Sequence, residues 1–245
     1  ENLGIIKHYG LLVDLASNDL IIGCAGDDIS YPNRVESVVE DYLVAGRPKY
    51  YLVHSAVSII GESDCKKIIP PVIEKSFTVN QMATALALHI GATQAHTKSL
   101  ITSFGPIVRD TYEDLVLGFR AALMGGYRYI DRPLVHYRPG GISAKGTHTP
   151  EWLRRHARET FLQRINDAML AGRYEIANYI VDEFFRNNLT LIMSNEMTEV
   201  QGDLTPSRSR PKVSVGLITY NNEDTVGKAI DSIFLQGAVI DELII

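Results

Sequence analysis

The run Leu20–Arg34, LIIGCAGDDISYPNR, decides the fold. Its apolar start, Leu20–Cys24, predicts a short buried strand. The strand runs straight into two adjacent carboxylates, Asp27 and Asp28. Pro32 and Asn33 then open a helix that begins near Arg34. Acids leaving the carboxyl end of a strand stand where open α/β sheets bind ligands. Two neighbouring carboxylates there call for a cation or ligand hydroxyls. An acidic turn that only caps the following helix explains the same residues.

Outward from this stretch, an α/β pattern continues on both sides. Upstream, residues 2–16 carry Ile5, Ile6, Tyr9, Leu12 and Leu15 at helical spacing, an amphipathic helix expected against a sheet. No strand or Gly-rich nucleotide loop precedes it, so the chain reads as starting partway through a domain. Downstream, 34–45 predicts a helix with Val35, Val38, Val39 and Leu43 inward, stopped by Gly46. Residues 50–60, YYLVHSAVSII, are rich in β-branched and aromatic residues and predict a strand. A loop over 61–71, a helix over 79–89, a strand within 91–98 and a helical turn over 99–104 follow. YEDLVLGFRAALM, residues 112–124, predicts a helix with Leu115, Phe119, Ala122 and Leu123 as its apolar stripe. Glu113 and Asp114 lie in its first turn, where the helix dipole by itself favours anions. Short strands are expected at 127–130 and 134–137, around Arg132 and Pro133. Two long helices, 151–170 and 174–191, show no chemical cluster, and His148 and His156 read as surface residues. The polar, proline-bearing segment 201–212 reads as a linker. Strand 213–219, helix 224–236 and strand 240–245 then form the start of a βαβ unit.

Composition narrows the classes. The 245-residue chain has a net charge of −5, which supplies no electrostatic footprint for nucleic acid. Its two cysteines, Cys24 and Cys65, make no disulfide framework, so a reducing cytoplasmic setting is expected. No apolar run reaches the length of a membrane span.

Taken in order, four stretches resemble the family-2 glycosyltransferases, inverting sugar-nucleotide enzymes of the GT-A fold. They are NLGI at 2–5, CAGDDISYPNR at 24–34, GATQAHTK at 91–98 followed by FGP at 104–106, and YEDLVLGFRAALMGGY at 112–127 with PLVHYR at 133–138. The resemblance covers residues 1 to about 143. It implies a GT-A mixed sheet flanked by helices, with a C-terminal helical extension. It implies a catalytic part over 1–148, the extension over 149–200, a linker over 201–211, and a start of a second, or completing, nucleotide-binding segment over 212–245.

The resemblance also implies roles. Asp27 matches the metal-binding aspartate of the D-x-D turn, with Asp28 beside it for substrate, and Mn²⁺ or Mg²⁺ as the divalent cation. The first Asp of that motif falls on Ala25, a departure that bears on metal affinity. Asp114 matches the base that takes the acceptor hydroxyl proton, and Glu113 the residue that orients the acceptor. Arg138 and His136 would meet the diphosphate, or be solvated loop residues. The implied partners are a nucleotide-diphosphate sugar donor and a glycan or lipid-linked acceptor, as in surface polysaccharide synthesis. Peripheral contact at the inner face of a membrane and a homo-oligomer are compatible with this class. Two other classes stay open: a non-catalytic nucleotide-sugar-binding module of the same fold, and a metal-dependent phosphotransferase or hydrolase.

Residues 212–245, KVSVGLITYNNEDTVGKAIDSIFLQGAVIDELII, resemble the opening of the same family's domain. Tandem domains or a circular permutation would both place them here. If they complete the first domain, 213–219 pairs with the Leu20–Cys24 strand, and Tyr220 and Asn221 help hold a nucleotide.

Overall fold

The computed structural model describes residues 5–60, 67–108, 110–138, 148–196, 214–216 and 242–244. They fall into two compact units, 1–196 and 197–245, each described by itself.

The first unit opens with α1 (Ile5–Leu15), β1 (Leu20–Ile22), β2 (Ile29–Ser30), α2 (Arg34–Val44) and β3 (Leu52–Ile59). Then come β4 (Lys67–Ile68), α3 (Pro71–Glu74), α4 (Val79–Thr84), a 3₁₀ turn at Gly91–Thr93, β5 (Ala95–Thr97) and α5 (Ser99–Thr102). The unit closes with α6 (Glu113–Leu123), β6 (Tyr127–Tyr137), α7 (Pro150–Leu170) and α8 (Tyr174–Glu196). One mixed sheet runs β1-β5-β3-β6-β2, and β4 also pairs with β3. Among the described strands of this sheet only β3 and β6 pair in parallel, and the path between them contains α6, as a parallel crossover requires. The chain is therefore a mixed α/β fold with helices on its sheet.

Strand β3 is the axis of the core. Its residues are buried from Leu52 to Ser58, as expected for a strand covered on both faces. Successive side chains serve opposite layers. Val53 packs with Val38 of α2, Tyr51 and Ala95, whereas Leu52 packs with Leu100, Leu117 and Ala121 below α6. Gly126 opens β6 so close to β3 that a Cβ there would stand 1.8 Å from the carbonyl oxygen of Tyr50. Helices α7 and α8 share a further core with α4 and α6, built on Phe119, Leu123, Ala168, Ile176, Ala177 and Ile180.

Several expectations change. Strand β1 is half-buried at the end of the sheet path rather than buried. Helix α2 buries Val38 as expected, but Val35, Val39 and Leu43 are 60%, 38% and 47% exposed. Its inward face is partly polar. Arg34 and Ser37 are buried there, and Asp41 receives the Tyr51 hydroxyl (2.8 Å) and the Arg128 guanidinium (2.6 and 2.9 Å). In α1, Leu12 and Leu15 are likewise exposed and Val13 is the buried residue. Helix α4 begins at a reciprocal cap between Thr78 and Gln81 but stops at Thr84 instead of residue 89. The guanidinium of Arg164 takes the carbonyls of Ala83 and Ala85 (2.9 and 2.8 Å), replacing further helical bonding. The two short strands around Pro133 form one strand, β6, whose register against β3 slips near Ala56 and Pro133. A proline lacks the N–H for the ladder and is accommodated at such an irregularity. His156 is buried, stacked at 3.5 Å on Trp152, rather than at the surface.

In the second unit, β7 (Ser214–Gly216) pairs in parallel with β8 (Glu242–Ile244), as the expected βαβ start requires. Of the segment 213–219 expected to pair with the Leu20–Cys24 strand, 213 and 217–219 lie outside the described residues. The expected helix 224–236, the linker, Tyr220 and Asn221 lie outside the described residues.

Candidate functional site

The acidic turn sits between β1 and β2, and the end of β6 clamps it. Ile29 and Ser30 pair with His136 and Val135. The backbone N–H of Arg138 donates to Asp28 Oδ1 (2.8 Å), and its Nε donates to the Asp27 carbonyl (3.0 Å). Asp28 Oδ2 is buried with no hydrogen-bond partner, while the Asp27 side chain is exposed. Arg138 thus fixes the turn's backbone. His136 is stacked on Tyr31 (4.0 Å between ring centroids), and its Nδ1 lies 2.7 Å from the Ser58 hydroxyl. Burial, with Asp28 and Asp27 nearby, raises the Tyr137 phenol.

Among the described residues, no three metal-ligating side chains converge. Magnesium is commonly bound by one or two carboxylates with substrate phosphates completing the shell. An exposed Asp27 beside an unsatisfied Asp28 oxygen fits that mode, not a cage made by protein alone.

Arg34 joins this turn to the rest of the site. It is 2% exposed, and burial lowers its basicity. Its Nη2 donates to the carbonyls of Gly23 (2.6 Å) and Ala92 (2.9 Å), and its Nη1 to the Ser30 hydroxyl (3.0 Å). Gly23 N–H also donates to the Gln94 carbonyl (3.1 Å). The start of the acidic turn is therefore tied to the 3₁₀ turn at 91–93.

The second acid pair lies against that same 3₁₀ turn. A Cβ on Gly91 would stand 3.2 Å from Asp114 Cβ and 3.3 Å from its Oδ2. Asp114 Oδ1 accepts the N–H of Leu115 (2.8 Å), and the Tyr112 N–H donates to the buried hydroxyl of Thr160 on α7 (3.1 Å). Burial raises Asp114 to about 6, against the opposing pull of the Leu115 N–H and the Arg164 charge. Burial, and then the neighbouring Asp114, raise Glu113 to about 7. Carboxyls held above the ordinary carboxylate range suit a general base.

The structure thus brings Asp27, Asp28, Arg138 and His136 together at one turn, and Glu113 and Asp114 at the neighbouring one. Sequence reasoning missed the layer behind them. His89 lies between the Tyr127 hydroxyl (3.0 Å from Nδ1) and Gln94 Oε1 (3.3 Å from Nε2), and burial lowers it to about 4. His54 is buried with both ring nitrogens unpartnered, against His89, Tyr127 and Tyr129, and desolvation holds it neutral. The available signal was a histidine inside a strand expected to be buried on both faces. Arg164 was missed because α7 carries no motif.

Compared with protein-family models and with curated proteins, the chain matches none. Among the described residues no helix is long and apolar enough to cross a membrane.

Proposed function

We propose that the chain is an inverting, metal-assisted glycosyltransferase of the family-2 kind with a GT-A architecture. It would move a sugar from a nucleotide diphosphate to a glycan or lipid-linked acceptor in surface polysaccharide synthesis. A single observation carries this reading: the 91–93 turn is tied through Arg34 to the acid turn and abuts Asp114 of the second acid pair. The first suits a diphosphate leaving group, and the second suits a hydroxyl that must lose its proton.

In this reading Asp114 takes the acceptor's proton as its oxygen attacks the anomeric carbon, while the bond to the diphosphate breaks on the opposite face. Glu113 orients the acceptor. A Mn²⁺ or Mg²⁺ ion held by Asp27, with Asp28 beside it, would supply charge neutralisation to the diphosphate. Arg138 keeps the acid turn in place, and His136, packed on Tyr31, borders it. A cytoplasmic site at the inner membrane face suits a lipid-linked acceptor. The absent first carboxylate, at Ala25, favours a second reading, a nucleotide-sugar-binding module without turnover.

The test is a panel of nucleotide-diphosphate sugars with the full chain and Mn²⁺ or Mg²⁺. Released nucleoside diphosphate together with a new glycoside supports transfer; inorganic phosphate points to a phosphotransferase, and binding without turnover to the module. Asp114→Asn should spare donor binding and lower turnover about 10²–10⁴-fold. Unchanged turnover would place the base elsewhere. Asp27→Asn should abolish cation-dependent donor binding, and donor affinity indifferent to EDTA in the parent would remove the metal from the scheme.

A further inference from the structure

Arg164 stands in the middle of α7 and is fully buried. Its hydrogen bonds go to three carbonyls: Ala83 (2.9 Å), Ala85 (2.8 Å) and Leu115 (3.1 Å). Its Nε has no partner. Carbonyls satisfy N–H groups but carry no net charge, and a buried guanidinium needs a balancing anion. Two carboxylates act on it, Asp114 and Asp167. Asp167 is already held at two points by Arg120 (2.7 and 3.1 Å). Asp114 is therefore the acid left to balance Arg164. The contact is also mechanical. Leu115, whose carbonyl takes Arg164 Nη2, is the residue whose N–H caps Asp114.

We propose that Arg164 is a positioning residue for Asp114: it fastens the first turn of α6 and places a buried positive charge behind the carboxylate, keeping it ready to receive a proton. The proposal rests on the reading of Asp114 as the base. The groups facing Asp114 are Glu113 on its own helix, Tyr112 before it, Tyr9 of α1, Tyr127 of β6 and Arg164 of α7. Arg164 is the cation of this set. Its attraction opposes the burial that raises Asp114, so losing it should raise Asp114 further.

The experiment follows the ¹³C carboxyl resonance of Asp114 across pH in the full chain. Arg164→Gln should move its midpoint upward by about one pH unit or more. Arg164→Lys, which keeps the charge, should leave it close to the parent. The acid limb of turnover should move with the Asp114 midpoint, with KM unchanged. An unmoved midpoint in folded Arg164→Gln would overturn the proposal. If that variant does not fold, the parent decides: the Arg164 ¹⁵Nε resonance should titrate with the Asp114 midpoint and lose that step in Asp114→Asn. A flat resonance would overturn the coupling. These titrations need no turnover. Coupling in a protein that transfers no sugar upholds the Arg164–Asp114 pairing and rejects the glycosyltransferase reading.

Discussion

Asp167→Ala should be among the most damaging substitutions in the first unit. Asp167 and Arg120 have fully buried side chains. Arg120 donates twice to the Asp167 carboxylate and, through Nη1, to the carbonyls of Leu100 (2.8 Å) and Gly105 (3.0 Å). Gln163 donates a third bond to the same carboxylate (3.0 Å). Removing the acid strips three bonds and leaves a guanidinium buried without its partner. Breaking a buried pair in this way costs about 3–5 kcal/mol. With a urea m-value of about 2 kcal/mol/M, the unfolding midpoint should fall by roughly 1.5–2.5 M. The double variant Arg120→Met with Asp167→Leu removes both charges and leaves mainly the two carbonyls unsatisfied. It should lose distinctly less, about 1–3 kcal/mol. Urea unfolding followed by circular dichroism measures both. A loss below about 1 kcal/mol in Asp167→Ala, or an equal loss in the double variant, would refute the reasoning.

Other outcomes follow from the acid pair and the tight glycines. Glu113 and Asp114 are both raised on folding, to about 7 and about 6, so their contribution to stability is full below about pH 4 and is lost as pH rises through those values. Glu113→Gln should therefore stabilise the protein above pH 7 by about 1–3 kcal/mol and not below pH 4; melting curves that shift equally at pH 4 and pH 8 would contradict this. Gly91→Ala should push the Asp114 carboxylate aside by a few tenths of an ångström, lowering turnover about tenfold while stability changes by less than about 1 kcal/mol. Gly126→Ala drives a methyl group into the Tyr50 carbonyl and should cost about 3 kcal/mol or more, read as a lowered urea midpoint.

Where apolar spacing and burial agree, the fold was legible. Helix α6 starts at the expected acids, and β3 occupies its expected run because both of its faces want apolar side chains. Apolar spacing failed where buried polar groups set the geometry. Of the expected stripe Val35, Val38, Val39 and Leu43 only Val38 is buried, because Arg34, Ser37 and Asp41 share the inward face and find partners on or beside the sheet. The end of α4 was invisible for the same reason, since the group that takes its carbonyls comes from residue 164, about eighty positions along the chain. At the candidate site both acid pairs were legible as acids next to element boundaries. The tie between them was not, because the contacts of Arg34, Gly91 and Ala92 join parts of the chain up to about sixty positions apart and exist only after the sheet has formed.

The 91–93 turn makes the gap between the two acid pairs a matter of loop length. Strand β5 follows directly, and its pairing with β1 and β3 anchors the downstream end. The upstream side, residues 85–90, is irregular chain, exposed at Leu86 and Ala87. A residue inserted or deleted there would widen or narrow the gap while the strands keep their register. Small length changes at that exposed joint would thus alter the spacing of the two acid pairs while leaving the strand pairing of the core unaltered.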